Sequence, residues 1–248
     1  MGAPVSHQPV LSQATPSNPE SSLEFRAPDL TGRGRPGERR GAASRGPCPI
    51  DPQDLYALVP PESQGKTISG YPTFWFRIDY PSNRYHSVRF QLRRVLRENR
   101  VAELVYEKTL PASEIPQGIV SLSLPETVRQ LDAQPTYYEW SFSVYCNVPP
   151  ETDEIGQQPK AMVFGSIVRV KPESELQQAL QAASTERDRA LVYAQYGLWY
   201  DSLTTLGQLH QADPEQADLT LDWQALLTQA DLKEIVAEPI TDCCQESR

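Results

Sequence analysis

The chain has 248 residues, with 23 Lys/Arg against 32 Asp/Glu, a net charge of −9, and 23 prolines against 13 glycines; that length suits one large domain or two modest ones, and so much proline argues for loops and short strands over a helical bundle. No stretch approaches the roughly 18 uninterrupted apolar residues of a membrane span, which excludes insertion by a helix, and the opening MGAPVSHQPVLSQATPSN carries no apolar signal-peptide core. Residues 1–170 hold 18 Lys/Arg and 18 Asp/Glu whereas 171–248 hold 5 and 14, so the C-terminal third is a poor match for nucleic acid, whose phosphates need clustered cations.

Residues 1–47 are rich in Pro, Ser, Gly and Arg, have no hydrophobic period, and read as a disordered or loosely attached arm. The arm holds the chain's one basic cluster, Arg33, Arg35, Arg39, Arg40 and Arg45. Two readings fit it: a solvated Gly/Arg arm, or a docking site for an acidic surface, the chain's own acidic C-terminal third being one candidate. From Cys48 to residue 171 the texture is that of a β domain. Leu55–Val59 is a short apolar run, and Thr73–Tyr80 is aromatic-rich between turn residues. His86–Arg94 alternates Val88, Phe90 and Leu92 with polar neighbours, the period of a half-buried strand. Val101–Leu110, Gly118–Leu124, Tyr137–Cys146 and Ala161–Val170 complete seven predicted strands. Short strands and turn-rich connections indicate an all-β sandwich. Leu131, six residues before Tyr137, gives the spacing of the tyrosine corner of immunoglobulin and fibronectin type III sandwiches, with Tyr137 the corner residue. Trp75 and Trp140 are predicted core residues.

After Pro172 the period becomes helical. Leu176, Ala179, Leu180 and Ala183 share one face, and Thr185 with Asp188 is placed to cap the next helix. That helix leads into YAQYGLWYDSL, residues 193–203, four aromatics around one glycine. In an unbroken helix Tyr193, Tyr196, Trp199, Tyr200 and Leu203 would share a face, but Gly197 argues for a turn. Ala190, Tyr193, Gly197, Ser202, Leu206, Leu209 and Pro214 fall at tetratricopeptide offsets, whereas Glu186 and Arg189 replace that repeat's Trp and Leu. The expectation is one degenerate repeat over 184–214, within an acidic helical segment spanning 172–240 and ending in a frayed tail, 241–248. Its aromatic cluster is then a packing seam, with Trp199 buried and Tyr200 beside Asp201 the exposed partner contact.

No phosphate-binding loop or nucleophile elbow is present, and His7, His86 and His210 are too scattered to ligate a metal together. No catalytic residue, cofactor or metal site is predicted. The topology allows a Cys48–Cys146 bond between arm and sandwich, and leaves Cys243 and Cys244 as free thiols, a vicinal disulfide or partners for other thiols.

GRGRPGERRGAASRGPC, ALVP, PTFWF, IVSLSLP, YYEWSFSVYC, GSIVRV and YAQYGLWYDSL, in that order, resemble the cyanobacterial family called domain of unknown function 928, over about residues 26–240. The family's Arg-Gly-x-Cys stands here as Arg45–Cys48, and its strand cysteine matches Cys146; the resemblance thus implies that this pair is bonded. It also implies export, hence a periplasmic or secreted protein whose leader has been removed, or a cytoplasmic one if the chain begins natively at Met1. It implies no activity. The whole reading is a mainly β protein, an immunoglobulin-like sandwich followed by a tetratricopeptide-like helical hairpin, which binds another protein without catalysis. The alternatives are a structural subunit of an envelope assembly joined through a strand edge, or a hydrolase using Cys243 or a carboxylate pair.

Overall fold

The structure, a computed structural model, describes residues 23–30, 37–43, 48–96, 102–133, 136–149 and 158–244. Among these residues nine strands precede four helices: β1 (Glu38–Ala43), β2 (Leu55–Ala57), β3 (Gln64–Thr67), β4 (Thr73–Ile78), β5 (Ser87–Val95), β6 (Ala102–Pro111), β7 (Gly118–Ser123), β8 (Tyr137–Tyr145), β9 (Ala161–Arg169), then α1 (Ser174–Ala182), α2 (Glu186–Gln195), α3 (Trp199–Ala212) and α4 (Ala217–Gln229). Each of the seven predicted strands forms. The chain is mainly β with four C-terminal helices.

The strands make one largely antiparallel sheet in the order β6-β5-β8-β9-β1-β2-β4-β7, with β3 parallel beside β9. Alternation decides which way it curls, because apolar residues on one face must meet apolar residues on another. Phe74 and Phe76 of β4 therefore face β5 and β8 instead of pairing with them: Phe76 stacks on Phe142 at 4.2 Å, and Phe74 lies 4.8 Å from Phe90. Trp75 and Trp140 are buried, as expected of core residues. The fold line is β1, which pairs with β9 on one side and, through Arg40 opposite Tyr56, with β2 on the other. The expected pair of separate sheets is thus corrected to one continuous curled sheet, a half-barrel, because β1 carries the ladder across the gap.

The expected boundary of the arm at residue 47 also moves. Residues 38–43 are a sheet strand, held less by apolar burial than by ionic reach. Arg39 Nη1 donates to the Ala230 carbonyl at 2.5 Å, and its Nη2 lies 3.0 Å from the Asp231 carboxylate. Arg40 sits 3.7 Å from Glu234 and over the Tyr56 ring. Both described arginines of the basic cluster thus meet the acidic C-terminal third; Arg33, Arg35 and Arg45 lie outside the described residues. Segment 23–30 is fastened as well, since Gln229 bonds both the Phe25 N–H, at 2.8 Å, and the Leu23 carbonyl, at 3.0 Å. At the other end, residues 239–241 pair with β7: the Ile119 N–H donates to Pro239 O and the Thr241 N–H to Ile119 O, each at 2.8 Å. The frayed tail therefore does not begin at 241; residues 245–248 lie outside the described chain, as do residues 1–22 of the arm.

A tyrosine corner is present, one residue later than expected. The Asp132 N–H donates to the Tyr138 hydroxyl at 2.7 Å. Tyr137 is only half-buried: successive strand residues alternate faces, and the core side falls to Tyr138.

Thr185 and Asp188 cap α2 reciprocally, a capping box, and hydrogen bonds from Ser184 and Thr185 hold the Asp188 pKa below its ordinary value. Helices and sheet share one core. Trp75 Nε1 donates to Thr204 Oγ1 at 3.1 Å, and Trp75 and Trp223 lie 6.3 Å apart. Arg187 of α2 reaches the fully buried Asp222 of α4 at 2.6 Å, and the Ser202 hydroxyl bonds the Ala190 carbonyl at 3.0 Å across the α2–α3 pair.

Candidate functional site

The aromatic cluster of residues 193–203 splits between packing and exposure. Gly197 takes φ +69° and turns the chain between α2 and α3, as its placement implied. A Cβ there would meet the Arg26 carbonyl oxygen at 2.6 Å, so both the backbone and the space around it require glycine. Trp199 is fully buried: its Nε1 donates to Leu58 O at 2.9 Å, and its ring meets Phe25 edge-on at 5.0 Å.

Tyr200, expected to be the exposed contact, is instead buried at 2%. Its hydroxyl accepts from Trp140 Nε1 at 2.8 Å and lies 3.4 Å from the Ser166 carbonyl oxygen. It fits because Gly65 of β3 presents no side chain: a Cβ there would stand 2.7 Å from the tyrosine ring. Burial drives the phenol pKa strongly upward. Asp201 is corrected too. Its carboxylate accepts the Ile68 N–H at 3.2–3.3 Å and is half-buried. Burial pushes its pKa up to about 6, against hydrogen bonds from Thr67, Ile68 and Ser69 that pull it down. The physical reason for both corrections is the turn at Gly197. It resets the helical phase, so the first turn of α3 faces the sheet on two sides.

The exposed member of the cluster is Tyr196, at 39%. It caps the C-terminus of α2 and projects into a cleft of about 660 Å³. Apolar Val170, Leu176 and Leu198 line this cleft, together with Lys66, Lys171, Glu173 and Glu175. Under it, Leu176, Tyr193 and Leu198 form a small second core. The signal for Tyr196 was in the sequence: a residue directly before a turn glycine leaves the helical face its neighbours share. A smaller recess of about 230 Å³ lies at Asp201, bounded by Thr67, Ser69, Thr73, Thr204 and Thr205. Its hydroxyls and carboxylate converge, but no histidine or cysteine lines it.

His86 is exposed, with Nδ1 3.2 Å from Ser87 Oγ. His210 is not the surface residue its position suggested. It stacks on Trp223 with centroids 5.9 Å apart, and burial lowers its pKa. His7 lies outside the described residues. Among the described residues no group of three His, Cys, Asp or Glu is placed to hold a metal ion, and no helix is long and apolar enough to cross a membrane.

Cys48 and Cys146 are bonded, with Cα atoms 6.0 Å apart, an ordinary disulfide span. Cys243 and Cys244 are bonded to each other, so of the three states open to them the structure takes the vicinal disulfide. No curated protein matches the chain. A family model described as Domain of Unknown Function (DUF928) matches residues 40–240, which take in the sheet, the four helices and the Tyr196 cleft, and the chain belongs to that family.

Proposed function

We propose that this protein is an exported, non-enzymatic binding module that holds a segment of another protein in the Tyr196 cleft. The observation that carries the reading is Tyr196 itself, the one exposed ring of the aromatic cluster, standing in a cleft of about 660 Å³ with an apolar floor and charges of both signs at its rim. Exposed aromatics over concave apolar floors are the usual anchors of protein recognition. Export to a cyanobacterial periplasm or beyond is supported by the Cys48–Cys146 bond, since such bonds persist in oxidising compartments. The finer architecture in this reading is immunoglobulin-like with a tetratricopeptide-like hairpin, supported by the Tyr138 corner and by the meeting of Ala190 with Ser202.

The test is paired capture from native envelope extract with wild type and Tyr196→Ala, quantified by mass spectrometry and read beside thermal melts. The expected result is a partner lost about 30-fold by Tyr196→Ala, the scale of a 2 kcal/mol anchor, with melts that coincide. A partner retained equally by both proteins refutes the cleft as the binding surface.

One observation favours a second reading, a structural subunit. The β7 edge is covered by residues 239–241, whereas β6 is the outermost strand at the opposite edge and leaves Leu104 49% exposed. An assembly joined by β6 would be dissociated by Leu104→Lys and left intact by Tyr196→Ala, which sedimentation resolves.

A further inference from the structure

We infer that Cys243–Cys244 is a thiol–disulfide exchange site whose co-substrate is a protein dithiol. The argument begins with what this bond does not do. A cross-link stabilises a fold by closing a loop of chain, and adjacent residues enclose none. Their Cα atoms are 3.7 Å apart through the single intervening peptide. Cys48–Cys146, by contrast, closes a separation of 98 residues. The two bonds thus have different uses: one fastens the sheet, and the other opens and closes without releasing any part of the fold.

The surroundings keep the pair in place while it does so. Just before it, the Ile119 pairing with Pro239 and Thr241 clamps the chain, and Gln211 Nε2 holds the Asp242 carboxylate at 2.8 Å. At the pair itself, Lys108 Nζ donates to the Cys244 carbonyl at 3.1 Å, and Cys243 Sγ lies 3.7 Å from the Glu114 carbonyl oxygen. Both cysteines are only half-buried, so the bond is open to a second molecule. The Lys108 ammonium stands at the Cys244 end, where it favours a thiolate. Cys244 also holds φ +68°, a left-handed conformation unusual for a residue with a side chain, which ring opening frees.

The exchange runs through these atoms. A thiolate of the incoming dithiol attacks Cys243 Sγ, the 243–244 bond breaks, and Cys244 leaves as a thiolate that takes up a proton. The second thiol of the co-substrate then attacks its own sulfur in the mixed disulfide, releasing Cys243 as a thiolate that is protonated in turn. In sum the vicinal pair gains two electrons and two protons, and the dithiol becomes a disulfide; the reverse sequence recharges it.

The test uses the full oxidised chain in a series of dithiothreitol to oxidised-dithiothreitol ratios, with free thiols counted by differential alkylation and peptide mass spectrometry and with the far- and near-ultraviolet circular dichroism followed. The expected result is that 243 and 244 become alkylated, reversibly, at a ratio at least about tenfold lower than the one that opens 48–146, with the spectra unchanged. Two results overturn the inference. One is both residues alkylated as free thiols before any dithiothreitol is added. The other is a pair that opens only together with 48–146 or with loss of the folded spectrum.

Discussion

Replacing Trp199 with alanine tests the junction between helices and sheet. The ring is fully buried, edge-on to Phe25 at 5.0 Å, and carries the only hydrogen on its indole nitrogen to Leu58 O at 2.9 Å. Truncating a buried tryptophan costs about 3–5 kcal/mol through lost transfer energy and the cavity left behind. The Leu58 carbonyl, on a residue 1% exposed, loses its donor, and a buried acceptor left bare adds about 1 kcal/mol. The expected total is about 5 kcal/mol, a fall in Tm of about 10–20 °C for a domain of this size. Trp199→Phe keeps most of the volume and removes the donor, so it should fall between wild type and alanine. The assay is thermal unfolding followed by tryptophan fluorescence and far-ultraviolet circular dichroism together, which also checks that the transition stays cooperative. Should Trp199→Ala melt within about 4 °C of wild type, the helices do not share a core with the sheet and the argument fails.

Three further outcomes are expected. Gly197→Val should destabilise by more than about 1 kcal/mol, because it forces a β-branched residue to φ +69° and sets its Cβ against Arg26 O; a urea midpoint equal to wild type would remove the hairpin turn. Arg187→Met strands the buried Asp222 carboxylate and should cost about 2–4 kcal/mol, the partly open arginine end keeping it below the cost at a dry pair, while Arg187→Met with Asp222→Leu should recover most of the loss; a double variant no better than the single contradicts the pairing. For Asp201, whose folded pKa of about 6 lies above its unfolded value, the native state holds the proton more tightly, so its contribution is full below about pH 4 and is lost as pH rises through 6. Wild type should therefore gain about 2 kcal/mol over Asp201→Asn between pH 7 and pH 4, read from urea melts at each pH; a gap that stays constant would mean the carboxyl titrates normally.

Sequence periodicity found the strands whose stability comes from burial and missed the two whose stability does not. Val88, Phe90 and Leu92 announce β5 because one face of it is core. Glu38-Arg-Arg-Gly-Ala-Ala43 has no such face; it is a strand because Arg39 finds Asp231 and the Ala230 carbonyl, which no local pattern records. Gln64-Gly-Lys-Thr67 is equally silent, and its place beside β9 depends on Tyr200 filling the space over Gly65. The candidate site failed for a related reason. Helical phase read straight through Gly197 puts Tyr196 with its buried neighbours, whereas a break there exchanges the roles of Tyr196 and Tyr200. Tyr137 and Tyr138 differ by a single step of strand register, and adjacent tyrosines give composition no means of choosing between them.

The fastening of β1 has a consequence for when the protein can fold. Arg39 bonds a residue 192 positions further along the chain, and Leu23 one 206 positions away. A nascent chain therefore cannot close its sheet while the C-terminal third is still on the ribosome, and β1 must wait beside an unfinished neighbour until Asp231 arrives. Contacts of such length are slow to form, because loop entropy is spent before any bond compensates it. Release of the whole polypeptide, more than the emergence of any one strand, sets the start of folding, and the unpaired edges of β9 and β2 are bare until then.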